Sequence, residues 1–564
     1  MALLCLKVGA QSCPSNRYLD PIFSVAKQSN VVFGNAPTLT AVYVSESVTT
    51  NENLTMDVFT PTGDTVQNRP LIIFAFGGGY IFGTKDDSDI QGLCEYFTKR
   101  GYVCASINYR KGLNATSNNS AVRAIYRGAQ DWSSAIRWFK ENRTTYKVDT
   151  NYFFVGGSSA GAFGALHAVF ANDSNKPPEA NSTGFPTFQP DLGCLSCTGN
   201  NFNHSNKVKA VLNCWGAMLD KNFIDAGDKT PILSIHGEAD PIVPYNSGSP
   251  FSASILVQSV DGSAPIHQRA LQVGNPSKLI PYPGQGHCVW GICVLNAWAP
   301  GSPTEFYTPI LDSMRLYMYP MLKPTPAAIT GPSSICIGDT ALYYVTGSNA
   351  VRYCWQLSGG QVIDHTANYG AVKVIWNTTG NYSITVTPYS TIEAAGTATQ
   401  VSTTVNAYPP IETIAQTGDT LTVAEGYTYQ WYINQQPLTG ATGNEIVIDS
   451  AAFYSVFITN AAGCATMSES LFAEPTEVVE PTGVAEMVAG DVKLYPSPNA
   501  GSFIIEGKDI VGVELYNGFG QVLAPKNITF SATKLMVEHS LISGIYYAKI
   551  SSNKSIIYKR FLVE

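Results

Sequence analysis

The sequence is poor in charge. Asp, Glu, Lys and Arg make up 13% of its 564 residues, about half the usual share of roughly 25%, so Asn, Ser and Thr must keep the surface soluble. Lys and Arg total 34 against 42 Asp and Glu, a net charge of -8. No basic block occurs that could track a phosphate backbone, which excludes nucleic acid as a partner. No apolar run reaches the roughly 18 residues that cross a bilayer, so no transmembrane segment is expected. Histidine is scarce, at 7, and none gives zinc-like spacing beside the close cysteine pairs. Neither a metal nor an organic cofactor is expected.

What is plentiful points to turns and strands: Gly 49, Pro 33 and Tyr 30. At roughly 150 residues per domain the length predicts three to four domains. The cysteines number 12, and two close pairs, Cys194/Cys197 and Cys288/Cys293, lie in Gly- or Pro-flanked loops. Disulfides in an exported protein are the economical reading. Residues 1–10, apolar and ending in small side chains, read as the end of a secretory signal peptide without its basic start.

Residues 14–322 alternate apolar runs with amphipathic stretches and predict an α/β domain with a mostly parallel sheet and helices on both faces. Buried strands are expected over 71–76, 102–107, 152–155, 208–212 and 232–235. Trp132, Ala135, Ile136 and Phe139 mark the apolar stripe of a crossover helix. Lys323-Pro-Thr-Pro326 reads as an exposed boundary crossed by few contacts, beyond which the chain becomes all-β. Two β-modules are expected at 327–406 and 408–474, each with an aromatic core strand, carrying Trp355 and Trp431 respectively. A Pro/Glu linker covers 475–490, and 491–564 forms a small strand-rich module.

Chemistry concentrates at one turn. The strand over 152–155 runs into Gly156-Gly-Ser-Ser-Ala-Gly161, and an apolar helix follows. This is Gly-x-Ser-x-Gly centred on Ser159 in the strand-turn-helix setting that the motif requires. The turn is so tight that a side chain at Gly157 or Gly161 would meet neighbouring backbone. Phe76-Gly-Gly-Gly-Tyr80 follows the first buried strand and offers unhindered N–H groups to an oxyanion. Asp240 follows the strand over 232–235, and His287 closes Gly284-Gln-Gly-His287. A carboxylate there can hold the imidazole in the tautomer that takes the proton from Ser159.

With those motifs, residues from about 20 to 322 resemble the α/β-hydrolase fold, in particular carboxylesterases and hormone-sensitive-lipase-like esterases. The resemblance implies Ser159 as nucleophile, Asp240 as acid and His287 as base, with the N–H groups of Gly78, Gly79 and Ala160 as the oxyanion hole. Phe76 departs from the His that many lipase-like relatives carry there. The β-modules resemble Ig-like or PKD-like modules. The last module resembles the C-terminal sorting domain of the type IX secretion system of Bacteroidetes, through Lys493-Leu-Tyr-Pro-Ser-Pro498 and the strand-like runs at 513–516, 541–547 and 559–563. That resemblance implies passage through the periplasm and secretion or attachment at the outer cell surface by that machinery. A third adhesive β-module is its rival.

Several assignments stay open on the sequence alone. Glu238, in the loop of Asp240, is the rival acid. His236 reads as a packed residue behind the site, and His167 and His204 as non-catalytic. Tyr80, Trp215 and Trp290 are candidates for lining an acyl or aryl pocket, the two tryptophans equally as ordinary core residues. Residues 172–207 form either a disulfide-tied lid or a surface excursion. The expected function is a secreted serine esterase acting on small or polymeric esters, such as acylated polysaccharide or polyester. An amidase or peptidase using the same triad, and a non-catalytic adhesion protein, are the alternatives.

Overall fold

A computed structural model describes residues 13–14, 16–43, 45–46, 48–114, 117–183, 189–250, 258–294, 297–476, 492–531, 533–553 and 556–564. The signal remnant at 1–10 and most of the Pro/Glu linker lie outside the described residues.

The N-terminal half is built on β1 (Ser24–Thr38), β2 (Thr50–Thr62), β3 (Arg69–Ala75), α1 (Ser88–Thr98), β4 (Val103–Ile107), α2 (Asn118–Glu141), β5 (Val148–Ser158), α3 (Ala160–Phe170), β6 (Ala210–Cys214), β7 (Ile232–Gly237), α4 (Ser263–Gln272), β8 (Ser277–Tyr282) and α5 (Tyr307–Leu322). The strands form one sheet in the order β1-β2-β4-β3-β5-β6-β7-β8. β4, β3, β5, β6, β7 and β8 run parallel. Every residue of β3, β4, β6 and β7 is buried, as covering both faces with helices requires. β1 and β2 add an antiparallel edge that the apolar pattern does not announce, because the outer half of β1 is largely solvated. Trp132, Ala135, Ile136 and Phe139 of α2 are fully buried, as the stripe predicts.

The β-rich remainder holds two four-stranded sheets within 328–406, a three- and a five-stranded sheet within 415–473, and two four-stranded sheets within 493–563. Trp355 and Trp431 sit in the cores of the first two pairs.

The expected boundary at Lys323–Pro326 is not one crossed by few contacts. Ile392 and Ala394, on a loop of the first β-module, are fully buried in the core of the N-terminal half. Around them Tyr18 Oη donates to the Ile392 carbonyl at 2.6 Å and Tyr319 Oη to that of Ala395 at 3.1 Å. The Cys13–Cys354 disulfide and a Tyr389 hydroxyl bond to the Pro14 carbonyl (2.7 Å) close the joint from the other side. A tight Pro-rich connection reads in sequence like an exposed linker; the loop that crosses back is 66 residues or more further on, where no local pattern marks it. Cys336–Cys464 joins the two β-modules. Phe453 and Phe472 of the second module then pack against Tyr516, Tyr547 and Tyr558 of the last.

Candidate active site

At the end of β5 the chain turns sharply. Ser159 takes φ 50° and ψ -120°, a conformation costly for a residue with a Cβ, and its N–H donates to the Cys214 carbonyl at the end of β6 (2.9 Å). The turn needs its glycines. A Cβ on Gly157 would stand 2.4 Å from the Ala75 carbonyl oxygen, and one on Gly161 2.3 Å from it, so helix α3 can start directly beneath the serine only with those residues bare. Ser159 is thereby lifted to the C-terminal edge of the sheet, the place where open α/β sheets bind ligands.

The glycine loop after β3 lies alongside. Gly78, at φ 118°, accepts from the N–H groups of Ile81 (2.9 Å) and Phe82 (3.0 Å). A Cβ there would fall 2.3 Å from the Phe82 carbonyl oxygen. Phe76 stacks on Tyr109 at 4.4 Å, and the Tyr109 hydroxyl donates to the Gly77 carbonyl at 2.9 Å. Tyr80 donates to the Ala160 carbonyl at 3.0 Å, which ties the loop to the first turn of α3. Among the described residues, the N–H groups of Gly79 and Ala160 donate to no protein acceptor. The dipole of α3 adds positive potential at the same place.

Asp240 and His287 come together across the next loops. Ala239 N–H donates to the Gln285 carbonyl (3.0 Å) and Glu238 N–H to that of Tyr282 (3.1 Å), which brings Asp240 Oδ2 to 2.7 Å from His287 Nδ1. Asp240 Oδ1 accepts from the N–H groups of Ile242 (2.8 Å) and Val243 (2.9 Å). Burial alone would raise this carboxyl, but hydrogen bonds from His236 and His287 outweigh it and hold it well below the usual carboxylate range. Glu238 is exposed and makes no such pair, so the geometry favours Asp240. Trp215, next to Cys214, packs edge-on to His287 with ring centres 6.3 Å apart.

Beside Ser159 opens a pocket lined by Tyr80, Leu113, Ile125, Phe163, Val243 and Val260 among others. Apart from Ser159 its described lining is apolar or backbone, since the Tyr80 hydroxyl is already used. Of these residues Tyr80 follows the glycine motif and Val243 lies in the Asp240 loop; the rest come from α2, α3 and other loops, and nothing in the local pattern distinguishes them from core.

Comparison with known proteins matches two parts of the chain to families. The family described as BD-FAE matches residues 56–220, and the secretion system C-terminal sorting domain matches 493–564. The chain carries an α/β-hydrolase domain and a secretion sorting domain. Relatives include esterase LipQ of Mycobacterium tuberculosis, 26% identical over 206 residues, which are 34% of this chain and 46% of that protein. Juvenile hormone esterase of Heliothis virescens is 30% identical over 98 residues, 17% of each chain. The chain thus spans less than half the length of these relatives. The solved esterase 2 of Thermogutta terrifontis is 18% identical, with 53% of this chain and 93% of that one covered and a TM-score of 0.35. The sorting domain makes this a protein that is secreted or attached to the cell surface. No helix among the described residues is long and apolar enough to cross a membrane.

One expectation about the hydrolase pocket needs correction, and one open assignment falls to its surface alternative. Trp215 and Trp290 do not line it: both are fully buried and pack on each other at 4.4 Å, so they back His287 as core. The insertion at 172–207 does not cover it either, for no described residue of that segment is among its lining. Arg123, Gln130, Arg137 and Lys140 instead hold the insertion along α2 by its carbonyls. Cys194 and Cys197 are bonded to each other. Cys288 is disulfide-bonded too, while the side chain of Cys293 lies outside the described residues. His167 and His204 sit elsewhere, the first bonded within α3 to the Phe163 carbonyl (2.7 Å), the second paired with Glu141 (2.8 Å).

Proposed function

We propose that this protein is an exported serine esterase acting through an acyl-enzyme. Ser159 Oγ attacks the ester carbonyl carbon while His287 takes its proton. The carbonyl oxygen gains charge opposite the N–H groups of Gly78, Gly79 and Ala160. Collapse expels the alcohol, protonated by the imidazolium, and water activated by His287 then releases the acid. The observation that carries the reading is the 2.7 Å Asp240–His287 pair on the same sheet edge as a serine held at φ 50°, next to an apolar pocket that suits an acyl chain. The relatives named as esterases support the same class. Export through the type IX machinery, and polymeric esters as substrates of an enzyme carrying two β-modules, belong to this proposal.

The test is Ser159→Ala. Hydrolysis of p-nitrophenyl butyrate should fall by several orders of magnitude, and a fluorophosphonate probe should label the wild type at Ser159 and leave the folded variant unlabelled. Turnover by the variant near the wild-type rate overturns the assignment.

A further inference from the structure

A second histidine touches the same carboxylate. His236, the penultimate residue of β7, is fully buried and lies four residues before Asp240. Its Nε2 faces two acceptors, Asp240 Oδ2 at 3.2 Å and the Val243 carbonyl at 3.1 Å. A bare nitrogen lone pair cannot sit against both, so Nε2 carries a proton and donates. Its Nδ1 is 2.7 Å from Ser263 Oγ. That hydroxyl accepts from Asn213 Nδ2 at 3.1 Å, which leaves its own proton to point at Nδ1. The Asn213 amide is itself oriented, because its Oδ1 accepts from the Gly216 N–H at 2.9 Å and its Nδ2 also donates to Ser234 Oγ at 3.1 Å. Every donor from Asn213 through Ser263 and His236 to Asp240 therefore runs one way.

We propose that His236 is a positioning residue for catalysis: its Nε2–H pins Asp240 Oδ2 in the orientation that His287 uses, and the Asn213–Ser263 relay fixes the tautomer that can do so. The proposal rests on the triad reading above. Because His236 and His287 share Oδ2, the donation from His236 draws off part of the negative charge that would otherwise stabilise the imidazolium of His287. The titratable groups around His236 are Asp240, His287 beyond it, Tyr245 with its ring 5.7 Å away, and exposed Glu238 on the same loop.

Removing the donor leaves Oδ2 to His287 alone, which favours the protonated base. The acidic limb of kcat/KM then moves to higher pH, and a looser carboxylate lowers kcat. His236→Phe should lose roughly 10- to 100-fold in kcat with KM nearly unchanged and the acidic limb shifted upward by about half a pH unit. His236→Gln, whose amide nitrogen reaches the same oxygen, should restore most of the rate and return the limb. Ser263→Ala, which leaves His236 in place but frees its tautomer, should show a smaller loss and a shift of the same sign. Folding is checked by circular dichroism and thermal unfolding. A folded His236→Phe with wild-type kcat and limb overturns the proposal. Should that variant not fold, Ser263→Ala with an unmoved limb, or His236→Gln with no recovery of rate or limb beyond it, does the same. Failure of the underlying triad looks different: Asp240→Asn would then keep its turnover.

Discussion

Asp240 and Glu238 stand two residues apart in one loop, and burial separates their chemistry. Asp240 receives two backbone N–H groups and two imidazoles, whereas Glu238 faces solvent. Asp240→Asn offers His287 the wrong partner and should cost on the order of 10⁴ in kcat; Glu238→Gln should change kcat little. Steady-state kinetics of the two variants at pH 8 decide the matter, and the reverse order of damage transfers the role to Glu238. His167 supplies a stability prediction at the same scale. Its Nε2 accepts from the Leu219 N–H at 3.1 Å, and burial pushes its pKa down from 6.5 to about 4. The unfolded chain therefore takes up this proton first as the pH falls. His167 contributes stability that is complete above about 6.5 and is lost towards 4, a span worth about 3 kcal/mol. Urea unfolding of wild type and His167→Gln between pH 7 and 4 should show a flatter slope in the variant.

Among the elements, α2 carries two opposed loads. One face gives Trp132, Ile136 and Phe139 to the core, and the other buries arginines rather than meeting solvent. Arg123 and Arg127 both pair with buried Glu46, Arg127 at 2.9 Å, and Arg123 also donates to the Glu179, Asn181 and Pro190 carbonyls. Removing one partner of a buried pair leaves charge uncompensated. Arg123→Ala should therefore cost about 3 kcal/mol, measured by denaturant unfolding, and should loosen 172–207 to limited proteolysis. Activity on a small soluble ester should survive at temperatures where the variant stays folded, since the insertion does not line the pocket. A loss of kcat/KM in the folded variant would restore the lid reading.

For the whole molecule, the joint between the hydrolase domain and the first β-module is the controlling feature. Burial of an isoleucine side chain is worth roughly 1.5–3 kcal/mol, and a native disulfide typically about 2–4 kcal/mol. A chain ending at Leu322 loses both Ile392 and the Cys13–Cys354 bond. It should unfold roughly 10 °C below the full-length protein, although every proposed catalytic residue is retained. A chain ending at Ala473 keeps both disulfides between modules and should match the full-length protein in Tm and in kcat/KM on p-nitrophenyl butyrate. Differential scanning calorimetry of the two truncations is the check: equal unfolding temperatures would show that the joint adds no stability.

Much of the site was legible in the sequence because tight turns have few solutions. Gly157 and Gly161 are dictated by backbone contacts near 2.4 Å; the glycine loop and Asp240 each follow a buried strand and His287 follows the half-exposed edge strand β8, so motif and strand order together locate them. The parallel core strands and the α2 stripe were legible for the same local reason, as unbroken apolar runs and a helical period. What tertiary structure alone decided depends on residues far apart in the chain. The arginine face of α2 reads as a solvated stripe until the insertion at 172–207 brings carbonyls to cover it. The two tryptophans, equally plausible as pocket or core, become core when Trp215 meets Trp290. The outer half of β1 is solvated on successive residues, so that edge of the sheet shows no two-residue alternation. The partner of His236 Nδ1 comes from far along the chain, since the start of α4 places Ser263 on the far side of the imidazole from Asp240. The contacts across the Lys323–Pro326 boundary escape the sequence for the same reason: composition reports the solvation of a segment, while the burial of Ile392 from a distant loop is set by how the domains dock.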